Sequence, residues 1–327
     1  MKRREFITLL GGAVTWPLAA RAQQVSMRRI GVLMNLAEHD PEPQARLTAL
    51  REGLQKLGWT EGRNIRIDYR WATDAKLLQL VAKELVALEP DLILANSTPA
   101  TESLLQQTRT IPIIFAHILD PVGSGFVASF PRPGGNVTGF NVSEPTLVGK
   151  LVELLKEIAP RIARVVMLFN PATASYAEYY LNPFKAVAAS FAVKAIAAPV
   201  RDGSELDSVV AAQAREPNSG LIAMPDSFTN AYRAEIISLA AHYRLPAVYP
   251  YRFFAELGGL VSYGNDLADN FRRAATYADR ILKGAKPSEL PVQAPVKFEL
   301  VINLKAAKAL GLDMPANLLS RADEVIQ

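Results

Sequence analysis

Hydrogen-bonding side chains recur where the apolar runs of this sequence stop. Asn35 follows one such run, Ser97 and Thr98 another, and His117 and Asp120 close a third. Farther along, Asn170, Asp226 with Ser227, and Tyr263 with Asp266 hold matching positions. Amides, hydroxyls, carboxylates and one imidazole are the groups that grip a small polar molecule. They do not assemble a nucleophile, a base and an oxyanion donor, and neither G-x-S-x-G nor G-x-x-x-x-G-K-S/T occurs. The histidines, His39, His117 and His242, lack the spacing of a metal clamp, and there is no cysteine to assist them, so neither a metal nor a cofactor is expected. Gly123 to Ala128 reads G-x-G-x-x-A, with Glu144 downstream, but a dinucleotide loop opens a long helix directly after a strand. Here Asp120-Pro121 precedes the glycines and Pro131-Arg132-Pro133 ends the segment.

Short apolar runs alternate with stretches of helical period, the pattern of βαβ units and a parallel sheet. Strands are predicted at 30–35, 65–71, 91–96, 111–115 and 137–140, then at 165–169, 193–197, 220–223, 247–249 and 260–262. Helices are predicted at 43–57, 147–158 and 267–282 among others, followed by a strand-like 296–302 and a short helix ending at Leu310. In open parallel sheets a ligand sits outside the carboxyl ends of the strands, which makes the strand-end residues above the candidate site. The same residue types also cap helices, so each could serve as cap, ligand contact or both. Nine of the ten tyrosines lie beyond residue 175, enough for an aromatic wall or for core filling.

The chain repeats itself. Arg29 to Asn35 returns as Arg164 to Asn170, Ile111 to His117 as Leu245 to Tyr251, and Gly134 to Asn141 as Gly258 to Asn265, at offsets of 135, 134 and 124. Two similar halves imply two α/β lobes, each doubly wound and Rossmann-like, with a cleft between them. Lobe I is expected at 28–141 plus 267–292, and lobe II at 142–266 plus 293–327. The tail then crosses back, giving three hinge crossings, two of them at 139–143 and 262–266.

Formal net charge is +4, and Lys2, Arg3, Arg4 and Arg21 against Glu5 supply +3 of it, so nucleic acid is not an expected partner. Those first residues read as an export tag (1–22): a basic start, an apolar run from Phe6 to Ala20, and Ala20-Arg21-Ala22 as the cleavage site. Arg3-Arg4-Glu5-Phe6-Ile7 is similar to a twin-arginine signal, with an ordinary secretory signal as the alternative. Without cysteine there is no lipid anchor point, so a protein free in the periplasm is expected; it is expected to be a monomer.

Several landmarks together resemble the substrate-binding family of ABC transporters with a type I periplasmic-binding fold, which includes bacterial tryptophan- and phenylalanine-binding receptors. They are Ile30-Gly-Val-Leu33, Arg51-Glu-Gly-Leu54 with Leu57-Gly-Trp59, Ser97-Thr-Pro-Ala100, Asp120-Pro-Val122, Gly135-Asn-Val-Thr-Gly139, Gly258-Gly-Leu-Val-Ser-Tyr-Gly264, Ile281-Leu-Lys-Gly284 and Phe298 to Leu304 with Ala309 to Leu312. The resemblance implies a pocket drawing on the loop after Asn35 and on Ser97, Thr98, Asp120, Asp226 and Tyr263. It implies a small-molecule ligand, amino-acid-like or an aromatic carboxylate or amide, and an inner-membrane ABC permease as partner. The second-lobe loop departs from the family's Thr-Asp-Asn and reads Pro225-Asp226-Ser227. A sensor feeding a signalling receptor is the alternative use of such a chain, and an exported enzyme a further one.

Overall fold

Ten of the twelve strands belong to two copies of one parallel arrangement, in a computed structural model that describes residues 27–142, 144 and 146–327. The expected export tag and Ser143 of the first expected hinge lie outside the described residues. In chain order the first copy comprises β1 (Arg28–Met34), α1 (Pro41–Lys56), β2 (Ile65–Trp71), α2 (Ala75–Ala87), β3 (Leu92–Ala95), α3 (Thr98–Gln107), β4 (Ile113–Ile118) and β5 (Val137–Asn141). The second comprises α4 (Leu147–Ile158), β6 (Arg164–Phe169), α5 (Ala177–Ser190), β7 (Lys194–Pro199), α6 (Leu206–Ala214), β8 (Ser219–Ala223), α7 (Ser227–Ala231), α8 (Arg233–His242), β9 (Ala247–Tyr249), α9 (Arg252–Glu256) and β10 (Val261–Asn265). The chain ends with α10 (Leu267–Leu282), β11 (Phe298–Asn303), α11 (Leu304–Leu310), α12 (Ala316–Leu319) and β12 (Glu324–Ile326).

The first sheet has the order β2-β1-β3-β4-β5 and the second contains β7-β6-β8-β9-β10, all parallel. The repeat read from sequence is thus a repeat of topology. It does not account for the tail: β11 pairs antiparallel with β10, and β12 lies parallel to β11, so the second sheet has seven strands instead of five.

Helices start where strands end, and their caps come from the sequence at those points. Asp40 accepts from the Glu42 amide at the head of α1, Asp74 from Leu77 at α2, Ser97 from Ala100 at α3, and Asp226 from Phe228 at α7. Proline in the first turn of α1 and α3 costs no hydrogen bond there. These caps all lie at the carboxyl edges of the sheets, the edges that face each other.

The apolar spacing of α1 buries Leu47, Leu50 and Leu54 together with α10, which contributes Phe271, Ala274, Ala275 and Ala278 to the same core. Each fully buried Leu or Phe contributes about 1.5–3 kcal/mol. Leu300 and Ile302 of β11 and Ala307 of α11 join the second-lobe core. The chain therefore passes between the lobes after Asn141, after Asn265, and again between Val292 and Phe298.

Candidate functional site

Strand order reverses between β1 and β3 in the first sheet and between β6 and β8 in the second. Such switch points open a crevice at the carboxyl edge. The two crevices face each other and enclose a cavity of about 360 Å³. Lobe I supplies Asn35 to Ala37, Asp40, Thr73 to Ala75, Leu78 and Pro99; lobe II supplies Ala172, Thr173, Ser227, Phe228, Ala231 and Tyr232. Most of this wall is apolar, and the Phe228 and Tyr232 rings pack 4.5 Å apart at 33°. A second hollow of about 220 Å³ also spans the lobes, between Glu102, the 120–126 loop, Ser175 and Tyr176. A larger one of about 460 Å³ lies on the outside of lobe II, between α8 and α11, where no lobe movement could close it on a ligand.

Bonds across the cleft join the lobes directly. Asn35 Nδ2 donates to Ser227 Oγ at 2.8 Å, Arg233 Nη2 pairs with Asp40 Oδ2 at 2.7 Å, and His117 Nε2 and the Tyr251 hydroxyl share a hydrogen bond of 2.7 Å. Burial, helped by the nearby Arg46 cation, holds His117 well below the usual imidazole range, so it is neutral. Burial likewise pushes the Tyr251 phenol upward.

The residues expected from sequence fall into distinct places. Asn35 and Ser227 line the main cavity, and Asp120 lines the smaller hollow, where it accepts from the Gly123 amide. Ser97 and Thr98 are buried at the head of α3, with the Ser97 hydroxyl oxygen taken by the Ala100 amide, and only Pro99 of that turn reaches the cavity. Asn170 folds its own loop: its carbonyl accepts from Ala172 and Thr173 amides while its Nδ2 donates to the Arg201 carbonyl. Asp226 is 1% exposed and is occupied by its own lobe. Its oxygens accept from the Asn170 amide at 2.9 Å, the Thr173 hydroxyl at 2.5 Å and the Phe228 amide at 3.2 Å. Burial lifts its carboxyl to about 6 against the pull of these donors. Tyr263 stacks on Phe298 of β11, and Asp266 caps α10 and pairs with Lys297, both outside the cavities described.

Several lining residues carry no strand-end marker of the expected kind: Thr73 and Asp74 after β2, Thr173 in the Asn170 loop, and the rings of Phe228 and Tyr232. Arg46 is the least expected. It occupies an inward position of α1, one residue before Leu47, and is 1% exposed. Its Nη1 donates to Asn96 at 3.2 Å and its Nη2 stands 3.6 Å from Glu42, while Nε has no hydrogen-bond partner. Among the described residues no group of three His, Cys, Asp or Glu side chains could hold a metal ion.

Two α/β lobes bonded across a lined cavity define a two-lobed ligand-binding protein of the type I periplasmic-binding fold. The chain belongs to the ABC transporter substrate binding protein family, whose pattern matches residues 29–326. It is similar to a tyrosine-binding protein of Clostridioides difficile strain R20291, 25% identical over 286 residues that make up 87% of this chain and 81% of that one. Among solved structures it is similar to an ABC domain from Streptococcus pneumonia in complex with L-Trp, at TM-score 0.86 and 27% identity, covering 92% of this chain and 100% of that one. A conserved domain protein from Vibrio cholerae gives TM-score 0.85 at 29% identity over 91% of this chain and 99% of that one.

Proposed function

We propose that the protein is a periplasmic solute-binding receptor that closes its lobes on an amino acid with an apolar or aromatic side chain and presents the closed form to an ABC permease. The observation that carries this reading is the cavity between the lobes, with an apolar wall of Leu36, Leu78, Phe228 and Tyr232 beside the polar Asn35, Asp74, Thr173 and Ser227. Its volume of about 360 Å³ suits a ligand of that size. The relatives that bind tyrosine and L-Trp point the same way. Closure is a population shift: a ligand bridging both lobes binds the closed state better and draws the equilibrium to it. The ligand is released unchanged.

The lobe limits belong to this proposal: 28–141 plus 267–292 for lobe I and 142–266 plus 293–327 for lobe II, with rotation taken up near 139–143 and 262–266. A thermal-shift screen of the purified protein against the L-amino acids tests the ligand class. A ligand at 100 times its Kd adds about 2.7 kcal/mol, a clear rise in Tm. No rise with any aromatic or aliphatic L-amino acid would reject the amino-acid reading. Small-angle scattering with the stabilising amino acid tests the hinges, and unchanged dimensions would reject closure.

A further inference from the structure

Two buried charges stand just behind the cavity, and each controls a polar residue that lines it. Arg46 starts a directional chain of hydrogen bonds. Its Nη1 donates to Asn96 Oδ1 at 3.2 Å, Asn96 Nδ2 donates to Asn35 Oδ1 at 2.8 Å, and Asn35 Nδ2 donates to Ser227 Oγ at 2.8 Å. A guanidinium has no acceptor, so Asn96 must turn its oxygen toward Arg46 and its amino group toward Asn35. Asn35 is fixed in turn: its oxygen is spent within lobe I and its amino group faces the cavity. One hydrogen of that group goes to Ser227, which leaves the other amide hydrogen and the Ser227 hydroxyl hydrogen as donors where the two lobes meet. Elsewhere on the lining, the Thr173 hydroxyl hydrogen is committed to Asp226 Oδ1 at 2.5 Å, and an ionised carboxylate cannot return one. Thr173 therefore offers the cavity only lone pairs, and Asp74, whose Oδ1 caps α2, adds its other carboxylate oxygen as an acceptor.

We propose that Arg46, through Asn96 and Asn35, and Asp226, through Thr173, fix which lining groups donate and which accept, and so select a ligand with a free carboxylate and a free ammonium group. The donors of Asn35 and Ser227 take the carboxylate, and the lone pairs of Thr173 take the ammonium. The amide of the same amino acid puts an NH2 against a donor, and the deaminated acid leaves an acceptor unpaired. Sites built around fixed hydrogen bonds reject such analogues strongly. Arg46 and Asp226 are positioning residues that do not line the cavity. The inference rests on the receptor reading above.

Calorimetry at pH 7.5 on the purified full chain tests it, using L-tryptophan and L-tyrosine, their amides, and the deaminated acids 3-indolepropionate and 3-(4-hydroxyphenyl)propionate. The wild type should bind the amide and the deaminated acid each at least ~10-fold more weakly than the parent. In Arg46→Met the Asn35 amide is free to turn, so the acid-to-amide ratio should fall to within about threefold while discrimination against the deaminated acid persists. Arg46→Lys, which keeps a donor, should restore the ratio. Should Arg46→Met not fold, Asn96→Leu cuts the same chain one step on and decides the matter. Thr173→Val should erase only the discrimination against the deaminated acid, and Thr173→Ser should restore it. An equal loss for all ligands in each variant would overturn the inference and leave the receptor reading standing. Failure of the wild type to bind either amino acid, together with no rise in Tm for any other aromatic or aliphatic L-amino acid, would overturn both.

Discussion

His117, at the end of β4 in lobe I, and Tyr251, after β9 in lobe II, meet across the cleft at 2.7 Å with their rings edge to face at 83°. Both are buried, and the charged and titratable groups near the pair include the Arg46 guanidinium, with Tyr176 and Asp226 at longer range toward Tyr251. The two residues occupy corresponding places in the repeat, so the bond joins equivalent strand ends of the two halves.

Protonating His117 would place a second cation beside Arg46 without solvent. Its value in the fold lies well below the ordinary 6.5, so the stabilisation of the closed form is present above about pH 6.5 and is lost as pH falls below it. Ligand affinity, measured by calorimetry from pH 8 to 5, should decline below about pH 6.5. His117→Gln should flatten that decline, and Tyr251→Phe should cost about 0.5–1.5 kcal/mol at pH 7.5, roughly threefold to tenfold in Kd. A variant profile parallel to that of the wild type would remove His117 from the closing mechanism.

The ion pair of Asp40 with Arg233 closes the cleft at a different place, with side chains only 13% and 14% exposed. Arg233 does not line the cavity, so removing it leaves ligand contacts intact. Arg233→Met should weaken binding by roughly 1 kcal/mol, about fivefold, and should reduce the salt dependence of Kd between 0.05 and 1 M KCl. An unchanged Kd would show that the pair contributes nothing to closure.

Asp226 is predicted to matter first for stability. In Asp226→Asn the amide oxygen can still accept from Thr173 and Phe228, but its NH2 meets the Asn170 amide, leaving a buried donor unpaired at about 1–3 kcal/mol. Burial raises the wild-type carboxyl from 3.8 to about 6, so this group's contribution to stability falls as pH rises through that window, by about 3 kcal/mol at 1.36 kcal/mol per unit. The Tm advantage of the wild type over the variant should therefore shrink between pH 4 and pH 6.5. A difference independent of pH would mean that Asp226 is not held at a raised value.

The strand ends of the switch points were legible because short apolar runs mark strands and parallel order places their ends together. Asn35 and Ser227 were reached in that way. Thr73 and Asp74 also follow a strand, but β2 alternates polar and apolar residues, Ile65-Arg-Ile-Asp-Tyr-Arg-Trp71, and so ends no apolar run. Arg46 sits at a helix position whose spacing with Pro43, Leu47 and Leu50 points inward, where a charge is read as surface until its partners are known. Tyr263 follows the repeat, yet its surroundings are set by β11, a strand from the tail that the repeat does not contain. Hydrogen-bond direction, from Arg46 to Ser227, depends on contacts 50 and 192 residues apart and has no local signature.

The last prediction concerns Gly264, in the motif shared by the two halves. A Cβ at this position would overlap the Pro250 carbonyl oxygen, which is backbone and cannot turn aside. Pro250 directly precedes Tyr251, which bonds His117 across the cleft. Gly264→Ala must push the turn away, an overpacking cost of about 3 kcal/mol or more, and should lower Tm by at least ~6 °C. It should also weaken ligand binding beyond what Tyr251→Phe does. Gly135→Ala serves as the control, because nothing lies within 4 Å of a Cβ there. Equal melting temperatures for the two variants, read by circular dichroism, would show that the 250–251 turn yields freely and does not position Tyr251.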